Sequence, residues 1–400
     1  EVHDGTVDGW KLVWGAANSA REYGAKILTY HQVTTIETAS GAVTAVRCVD
    51  LRTNEEVVIE TGFVLNCAGP WAGQIAAMAG AHPVEVVPGR GIMIAMNHRL
   101  VNRVVNRLIY PADGDILVPA HTVSIIGTTD VKVDDPDHLK IEANEVQQML
   151  DAGEVLVPGF RQSRALHAWA GARPLIKDDR VAASDTRHMS RGMEVIDHTA
   201  RDGLDGMLTI GGGKLTTYRL MAEHITDAMC DKLGEQRACR TAAEALPGSE
   251  SARTHRVSDR LAEREADRFD SQIICECELV SRKMFTDALA AAPQASFDDL
   301  RRQLHLGMGP CQGGFCSLRA GGIAVAEGSL DAERASGLFR LFLRNRWLGI
   351  WPILYGEQVR QSVLDAWIFQ GTLDTEHLPG PDAESVEPDP TRAPAPAKEA

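Results

Sequence analysis

Four of the eight cysteines fall into two tight pairs, Cys275-Glu276-Cys277 and Cys311-Gln312-Gly313-Gly314-Phe315-Cys316. A fold that uses them must close one pair on the other, which constrains residues 273–326 more than any other feature. Cys48, Cys67, Cys230 and Cys239 are scattered. In a cytosolic chain, paired cysteines point to metal or redox chemistry before disulfides. Four thiolates suit a [2Fe–2S] cluster, because ferric iron bridged by sulfide takes soft anionic donors and close pairs put two on each iron. Gly307, Gly309, Gly313 and Gly314 let backbone N–H groups approach the sulfurs. The alternatives are zinc, whose knuckles more often use C-x-x-C, and two pairs of buried thiols without metal.

The 400 residues suffice for two or three domains. Apolar residues make up 44% and charged residues 24%, the profile of a soluble globular protein. No stretch approaches the ~20 apolar residues that span a bilayer, and Glu1-Val2-His3-Asp4-Gly5 has no signal pattern. The expected compartment is the cytoplasm. A net charge of −14 argues against a nucleic-acid partner, while leaving room for a local basic pocket. The sequence does not begin with Met, opens in what reads as the middle of a domain and contains no G-x-G-x-x-G. It is therefore expected to be a fragment or one half of a split protein.

Along the chain, Trp10, Val13, Ala16, Ala17 and Ala20 recur at helical spacing over 8–24. A strand is expected at Lys26–Tyr30, then a meander of Val33–Glu37, Val43–Asp50 and Glu56–Glu60, then a short buried strand over 63–69. Residues 1–81 thus read as the later part of a dinucleotide-binding domain. Strands at Val84–Val87, Gly91–Met96, Asp115–Val118, Val123–Thr128 and Ala165–Gly171, with a helix over 142–153, mark a sheet domain over 82–175. Residues 176–246 return to the first domain through a buried strand at 207–211 and a helix to about 233. A polar linker with one helix follows (247–272), then the cysteine module (273–326), a helical aromatic segment (327–372) and a disordered tail (373–400) rich in Pro, Ala and Glu. The C-terminal tryptophans are expected to pack on the cysteine module. His121, His167 and His188 have no partner at ligand spacing, so they are not read as metal ligands.

Gly211-Gly212-Gly213-Lys214 lies between a buried strand and a helix. Amides at such a helix start attract anions or an electron-rich ring edge, and Lys214 adds a charge. On its own the pattern fits an ordinary glycine turn equally well, and it is not a Walker A loop.

Context carries more. The stretch from Gly206 to Glu223 (GMLTIGGGKLTTYRLMAE) resembles the signature of FAD-dependent glycerol-3-phosphate dehydrogenases. So do Asn66-Cys67-Ala68-Gly69-Pro70-Trp71, Ile126-Gly127-Thr128-Thr129-Asp130 and Ala170-Gly171-Ala172-Arg173-Pro174-Leu175. Asp4-Gly5-Thr6-Val7-Asp8 and Asp197–Gly206 resemble the large subunit of the anaerobic type, and residues 274–278 with 307–313 resemble a bacterioferritin-associated-ferredoxin-like [2Fe–2S] domain.

The resemblance, from residue 1 to about 371, implies an α/β (α+β) architecture. Its parts are the C-terminal part of a Rossmann-like FAD domain of the D-amino-acid-oxidase type, a mostly antiparallel-sheet substrate domain and a small helical iron–sulfur domain. It implies oxidation of sn-glycerol 3-phosphate to dihydroxyacetone phosphate, with FAD and a [2Fe–2S] cluster as cofactors. Electrons would pass through two further subunits, one flavoprotein-like and one an iron–sulfur membrane anchor, to a quinone. That would place the chain peripherally on the inner membrane face. Arg173 and Arg191 would bind the substrate phosphate, with Lys214 and Thr217; Arg173 and Lys214 would lie nearest the reacting centre. Val33, Ala68, Gly69, Gly212, Gly213, Lys214, Leu215 and Thr216 would contact the cofactor. The plainer readings are a surface ion pair for Arg173, a solvated charge for Arg191, a helix cap for Thr216 and Thr217, core for Val33 and a tight turn for Ala68-Gly69. Cys275, Cys277, Cys311 and Cys316 would ligate the cluster. Aerobic members carry a histidine where Arg90 and Gly91 stand here, so no catalytic base is assigned. Two other readings remain: a flavin-dependent amine or amino-acid dehydrogenase of the same fold, and a non-catalytic electron-transfer chain.

Overall fold

The computed structural model describes residues 5–107, 114, 116–176, 192–249, 257–266 and 272–378. Helix α1 (Gly9–Glu22) starts where Asp8 accepts a hydrogen bond from the Lys11 amide at 3.2 Å. Strands β1 (His31–Ala39), β2 (Ala42–Asp50) and β3 (Glu55–Glu60) form the expected antiparallel meander. Its first turn is the two-residue Ser40-Gly41, both at positive φ (51° and 79°), a geometry that matches strand twist in tight hairpins. The strand expected at Lys26–Tyr30 does not form. A strand needs a ladder partner; among the described residues the segment joins no ladder, taking only the Leu51 amide on the Tyr30 carbonyl at 2.8 Å, and Ile27 and Leu28 stay exposed.

The short β4 (Val64–Asn66) leads through a 3₁₀ turn at Gly69–Trp71 into α2 (Ala72–Met78). The second sheet contains β5 (Val86–Met96), β6 (Val105–Asn106), β7 (Ile116–Ala120), β8 (Val123–Gly127), β9 (Val131–Lys132) and, after α3 (Ala143–Leu156), β10 (Ala165–Ile176). Its order is β10-β5-β8-β7-β6, with β9 on β5, and every pairing is antiparallel. The two strands expected at 84–87 and 91–96 are one, running through Pro88. Pro88 faces Pro174 in the register, so the two missing N–H donors fall at one rung. Val146, Met149 and Leu150 of α3 recur at i, i+3, i+4 and pack with Ile92, Ile94, Leu117 and Ile126.

Under α3 lies a buried ion pair. Arg90 Nη2 meets Glu145 Oε1 at 2.5 Å, and the Thr129 hydroxyl donates to the same oxygen at 3.1 Å. The Ile92 amide donates to that hydroxyl in turn. Both charged side chains are under 10% exposed. Removing one partner from such a pair strands a buried charge and costs about 3 kcal/mol or more. Arg90→Met is therefore expected to lower unfolding free energy by about 3 kcal/mol in a urea titration.

The chain then returns through β11 (Met193–Asp197), α4 (His198–Asp202), β12 (Met207–Gly212) and α5 (Tyr218–Leu233). β12 runs parallel to β4 and antiparallel to β11. Helix α6 (Val257–Ala266) lies in the expected linker, ahead of β13 (Ile273–Cys275), β14 (Val280–Ser281), α7 (Arg282–Ala291), α8 (Phe297–Leu304), α9 (Cys316–Ala326), α10 (Ala332–Ile350) and α11 (Glu357–Ala366). The boundary expected at 326 is not a packing boundary: Phe285, Phe297, Leu338, Phe339, Phe342 and Phe369 share one core with Cys275 and Cys316. It is phenylalanines that fill this core. Trp347, Trp351 and Trp367 are 42%, 65% and 71% exposed, contrary to the packing expected of them. Residues 373–378, assigned to the tail, hold a turn at Thr375–His377, with Leu373 and Leu378 against the same core. Residues 379–400 lie outside the described residues.

Candidate functional site

Because β4 and β12 are adjacent and parallel, the segments that follow them, Cys67-Ala68-Gly69 and Gly213–Thr217, leave from the same carboxyl edge. That edge is where α/β sheets take ligands. Gly212 and Gly213 sit at φ 73° and 75°. A Cβ on Gly212 would lie 2.1 Å from the Gly192 carbonyl oxygen, and one on Gly213 would lie 2.3 Å from Met221 Sδ. Only glycine fits either place. The loop delivers Lys214, Leu215 and Thr216 to the exposed start of α5. Thr217 does what a cap does: its hydroxyl accepts from the Lys214 amide and donates to the Lys214 carbonyl. Gly69, at φ 57°, opens the 3₁₀ turn, and Asn66 Oδ1 accepts from the Ala68 amide at 3.2 Å.

This edge is braced from beneath by a polar network whose members, Asn66, His198, Asp202 and Thr209, fall within three separate stretches of the sequence and meet only in the fold. Asn66 donates to Ala72 O at 2.8 Å and to the Thr209 hydroxyl at 3.1 Å, tying β4 to β12. Thr209 also meets His198 Nε2 at 2.7 Å, and His198 Nδ1 meets Asp202 at 2.6 Å. Burial disfavours the Asp202 carboxylate. Hydrogen bonds from Arg201, His198 and His82 outweigh it and hold the group well below the usual carboxylate range.

β10 packs against both the Gly69–Trp71 turn and β12, and its last residue, Ile176, lies against Gly211 and Gly212. Arg173 stands three residues earlier on this strand. Its Nη1 reaches Asp130 Oδ1 at 2.8 Å and Gly89 O at 3.3 Å; its Nη2 reaches the Thr128 hydroxyl at 2.6 Å and Thr129 O at 3.1 Å. The guanidinium is a quarter exposed, whereas Asp130 is buried. Gly91 makes the room, since a Cβ there would lie 2.6 Å from Arg173 Nη2 and 2.8 Å from Thr129 O. Arg173 is thus an oriented, partly exposed cation held by four protein acceptors. Val33 packs partly buried beside Ile36, and β1 bulges between Val33 and Thr35. Arg191 lies outside the described residues, as does His188.

The four module cysteines converge. Cys277 and Cys311 sulfurs are 3.9 Å apart, and Cys316 lies close enough to Cys275 and Cys311 to interact with both. Bonds from the Cys277 and Cys316 thiols, the former larger, hold Cys311 below the ordinary thiol range, and Cys316 does the same for Cys275. Peptide N–H groups add to this: Gly313 and Phe315 on Cys311, Gly307 and Glu278 on Cys275. Gly309 is pressed close enough that a Cβ would lie 2.2 Å from the Cys277 Cβ. Cys277 and Cys316 are pushed up by the same neighbours, so two of the four sulfurs are favoured as thiolates; with the amide donors around them the four are a ligand set for a thiophilic metal or cluster. Two arginines, Arg164 half-buried and Arg346 buried, grip the carbonyls flanking Cys311: Arg164 donates to Pro310 O at 2.8 Å, and Arg346 to Gln312 O at 2.6 Å. No sequence pattern announces either arginine.

Residues 1–227 match the family described as FAD dependent oxidoreductase. The chain is 38% identical over 397 residues to a subunit of the anaerobic glycerol-3-phosphate dehydrogenase of Escherichia coli (strain K12), covering 94% of this chain and 73% of that protein. It is 37% identical over 407 residues to a subunit of the anaerobic glycerol-3-phosphate dehydrogenase of Haloferax volcanii, covering 95% and 69%. The crystal structure of the glycerol-3-phosphate dehydrogenase from Bacillus halodurans complexed with FAD superposes with a TM-score of 0.52 at 21% identity, over 96% of this chain and 74% of that one; it shares the fold.

Proposed function

Since the chain belongs to the FAD dependent oxidoreductase family, with relatives among the anaerobic glycerol-3-phosphate dehydrogenases, we propose that it serves the oxidation of sn-glycerol 3-phosphate to dihydroxyacetone phosphate. The observation that carries this reading is the Arg173 guanidinium, preset by Asp130 and Thr128 on a strand that packs against both the Gly69–Trp71 turn and β12. The glycine cradle and the exposed loops suit a large planar cofactor. The chemistry FAD supplies when bound is acceptance of a hydride equivalent from the substrate carbinol.

The protein's own residues then bind and orient. Arg173 offers a planar, permanently charged fork to a phosphate, and Arg191 is proposed as its companion. The Arg173 N–H groups are spent on protein acceptors here, so holding a phosphate requires trading the Thr128 or Asp130 contact. Lys214 adds cationic charge at the α5 start, beside Leu215 and Thr216. Ala68-Gly69 and Gly212-Gly213, with small or absent side chains, offer close backbone approach to the cofactor, and Val33 offers its bulged strand.

The four cysteines are proposed to hold a [2Fe–2S] cluster. Four sulfurs around one zinc would stand about 3.8 Å from each other, given Zn–S near 2.3 Å. Among the described residues, the one group of three or more ligand atoms mutually within 4.8 Å is Asp8, His121 and His305. Cys277 and Cys311 form one close pair and Cys275 and Cys316 interact beside it, so two pairs are proposed to serve one iron each. Exposed Phe315 beside Cys316, with Trp351 and Trp367, is proposed as the face for partner proteins that relay electrons to a membrane quinone. No helix among the described residues is long and apolar enough to cross a membrane.

The test compares substrates on the flavin-loaded protein. Bleaching of the flavin band by glycerol 3-phosphate but not by glycerol or glycine is the expected result. Equal bleaching by an amino acid would favour the amine-dehydrogenase reading, and absence of a flavin band would favour the electron-transfer chain.

A further inference from the structure

Five distant parts of the chain meet at one point outside the sites above. Asp8 comes from the cap of α1, His121 and Thr122 from the β7–β8 turn, Arg260 from α6, and Glu278 and His305 from the cysteine module. Asp8 Oδ2 lies 2.7 Å from His305 Nε2 and 3.6 Å from His121 Nε2. The two imidazoles stack at 4.2 Å with planes 15° apart. Sequence spacing gives no hint that His121 could be a ligand, because spacing along the chain is blind to residues that the tertiary fold brings together.

We propose that Asp8, His121 and His305 form a binding site for a divalent cation of the zinc class, clamping the cysteine module to the sheet domain. Donor separation is the first argument. Ligands 2.0–2.1 Å from a tetrahedral ion stand about 3.3 Å apart, and the two measured separations bracket that value. The second is the outer partner. His121 Nδ1 bonds Glu278 Oε2 at 2.8 Å, which leaves Nε2 as the atom aimed at Asp8. A carboxylate behind a histidine is the usual support of a metal-bound imidazole. Glu278 is itself fixed by the Thr122 hydroxyl at 3.0 Å and by Arg260 at 3.1 Å.

His121 and His305 both adopt positive φ, 52° and 62°. His121 sits in the two-residue turn between β7 and β8 and His305 caps the C-terminal end of α8, positions where such φ values are usual, and these turns fix where the two imidazoles emerge. Two imidazoles and one carboxylate select zinc-like ions over calcium or magnesium, which prefer all-oxygen sets. The three side chains keep 11–19% exposure, so a water can complete the shell.

The site is tested on the full chain with its iron content intact. After mild chelation, Co²⁺ is titrated while visible absorption is followed, and Zn²⁺ binding is measured by calorimetry. One equivalent with d–d bands and no sulfur charge-transfer band is expected. His305→Gln should abolish that equivalent, and Glu278→Gln should weaken it about 10–100-fold. Asp8→Asn, with circular dichroism as a folding check, covers the case in which His305→Gln does not fold. Cys311→Ser should leave it in place. Unchanged Co²⁺ binding in His305→Gln and Asp8→Asn, no binding in the parent protein, or loss of the equivalent in Cys311→Ser would each overturn the proposal. In the first two cases the cluster is only a hydrogen-bonded clamp; in the third the ion sits on the cysteines.

Discussion

Arg173→Met is expected to lower kcat/KM for glycerol 3-phosphate by two to three orders of magnitude in the flavin-loaded enzyme, about 3–4 kcal/mol of transition-state binding. The magnitude follows from the environment. The guanidinium is three-quarters shielded and aligned by four acceptors, so its charge is little screened and its geometry is fixed before substrate arrives. Methionine keeps the length and loses charge and fork together. The control is selectivity: the residual rates with glycerol 3-phosphate and with glycerol should draw together, because only the phosphate-bearing substrate loses a partner. A parallel fall for both substrates would assign Arg173 to the fold. Gly91→Ala should reproduce part of the loss without touching a charge, since its methyl would displace Arg173 Nη2 or the Thr129 carbonyl.

Much of this is legible in the sequence, for identifiable reasons. The meander can be read because β1–β3 are punctuated by turn residues, and local chemistry decides their pairing. The glycine–lysine loop can be read because Gly212 and Gly213 occupy backbone conformations that few other residues tolerate, so the site leaves a trace in composition. Lys26–Tyr30 misleads because a strand is made by its neighbours, and apolar composition alone cannot supply a ladder. The tryptophans mislead because Trp burial is an average over proteins, whereas Phe339, Phe342 and Phe369 occupy the available core here. Asp202 meets His82, Arg164 meets Pro310 and Arg346 meets Asp365 across 19 to 146 positions of chain, and Gly91 makes room for a side chain on another strand. No local pattern encodes partners so far apart.

Cys311→Ser is expected to remove the proposed iron–sulfur centre outright. Cys311 is central among the sulfurs: it lies 3.9 Å from Cys277, interacts with Cys316, takes N–H bonds from Gly313 and Phe315, and has an arginine on the carbonyl at each side. A serine oxygen is harder and far more basic than a thiolate, so it fails as a soft anionic donor at neutral pH. Iron and acid-labile sulfide should fall from two of each per chain to near zero, with loss of the reduced-cluster resonance. Flavin reduction by substrate should persist, because the sulfurs belong to a different core from the β4–β12 edge. Transfer onward to a quinone analogue should fall by at least 10²-fold, the rate a cluster-dependent route would lose at about 2.7 kcal/mol per two decades. A variant that keeps two irons would show that Cys311 is no ligand. Bound zinc and no iron in the parent protein would return the module to a structural role.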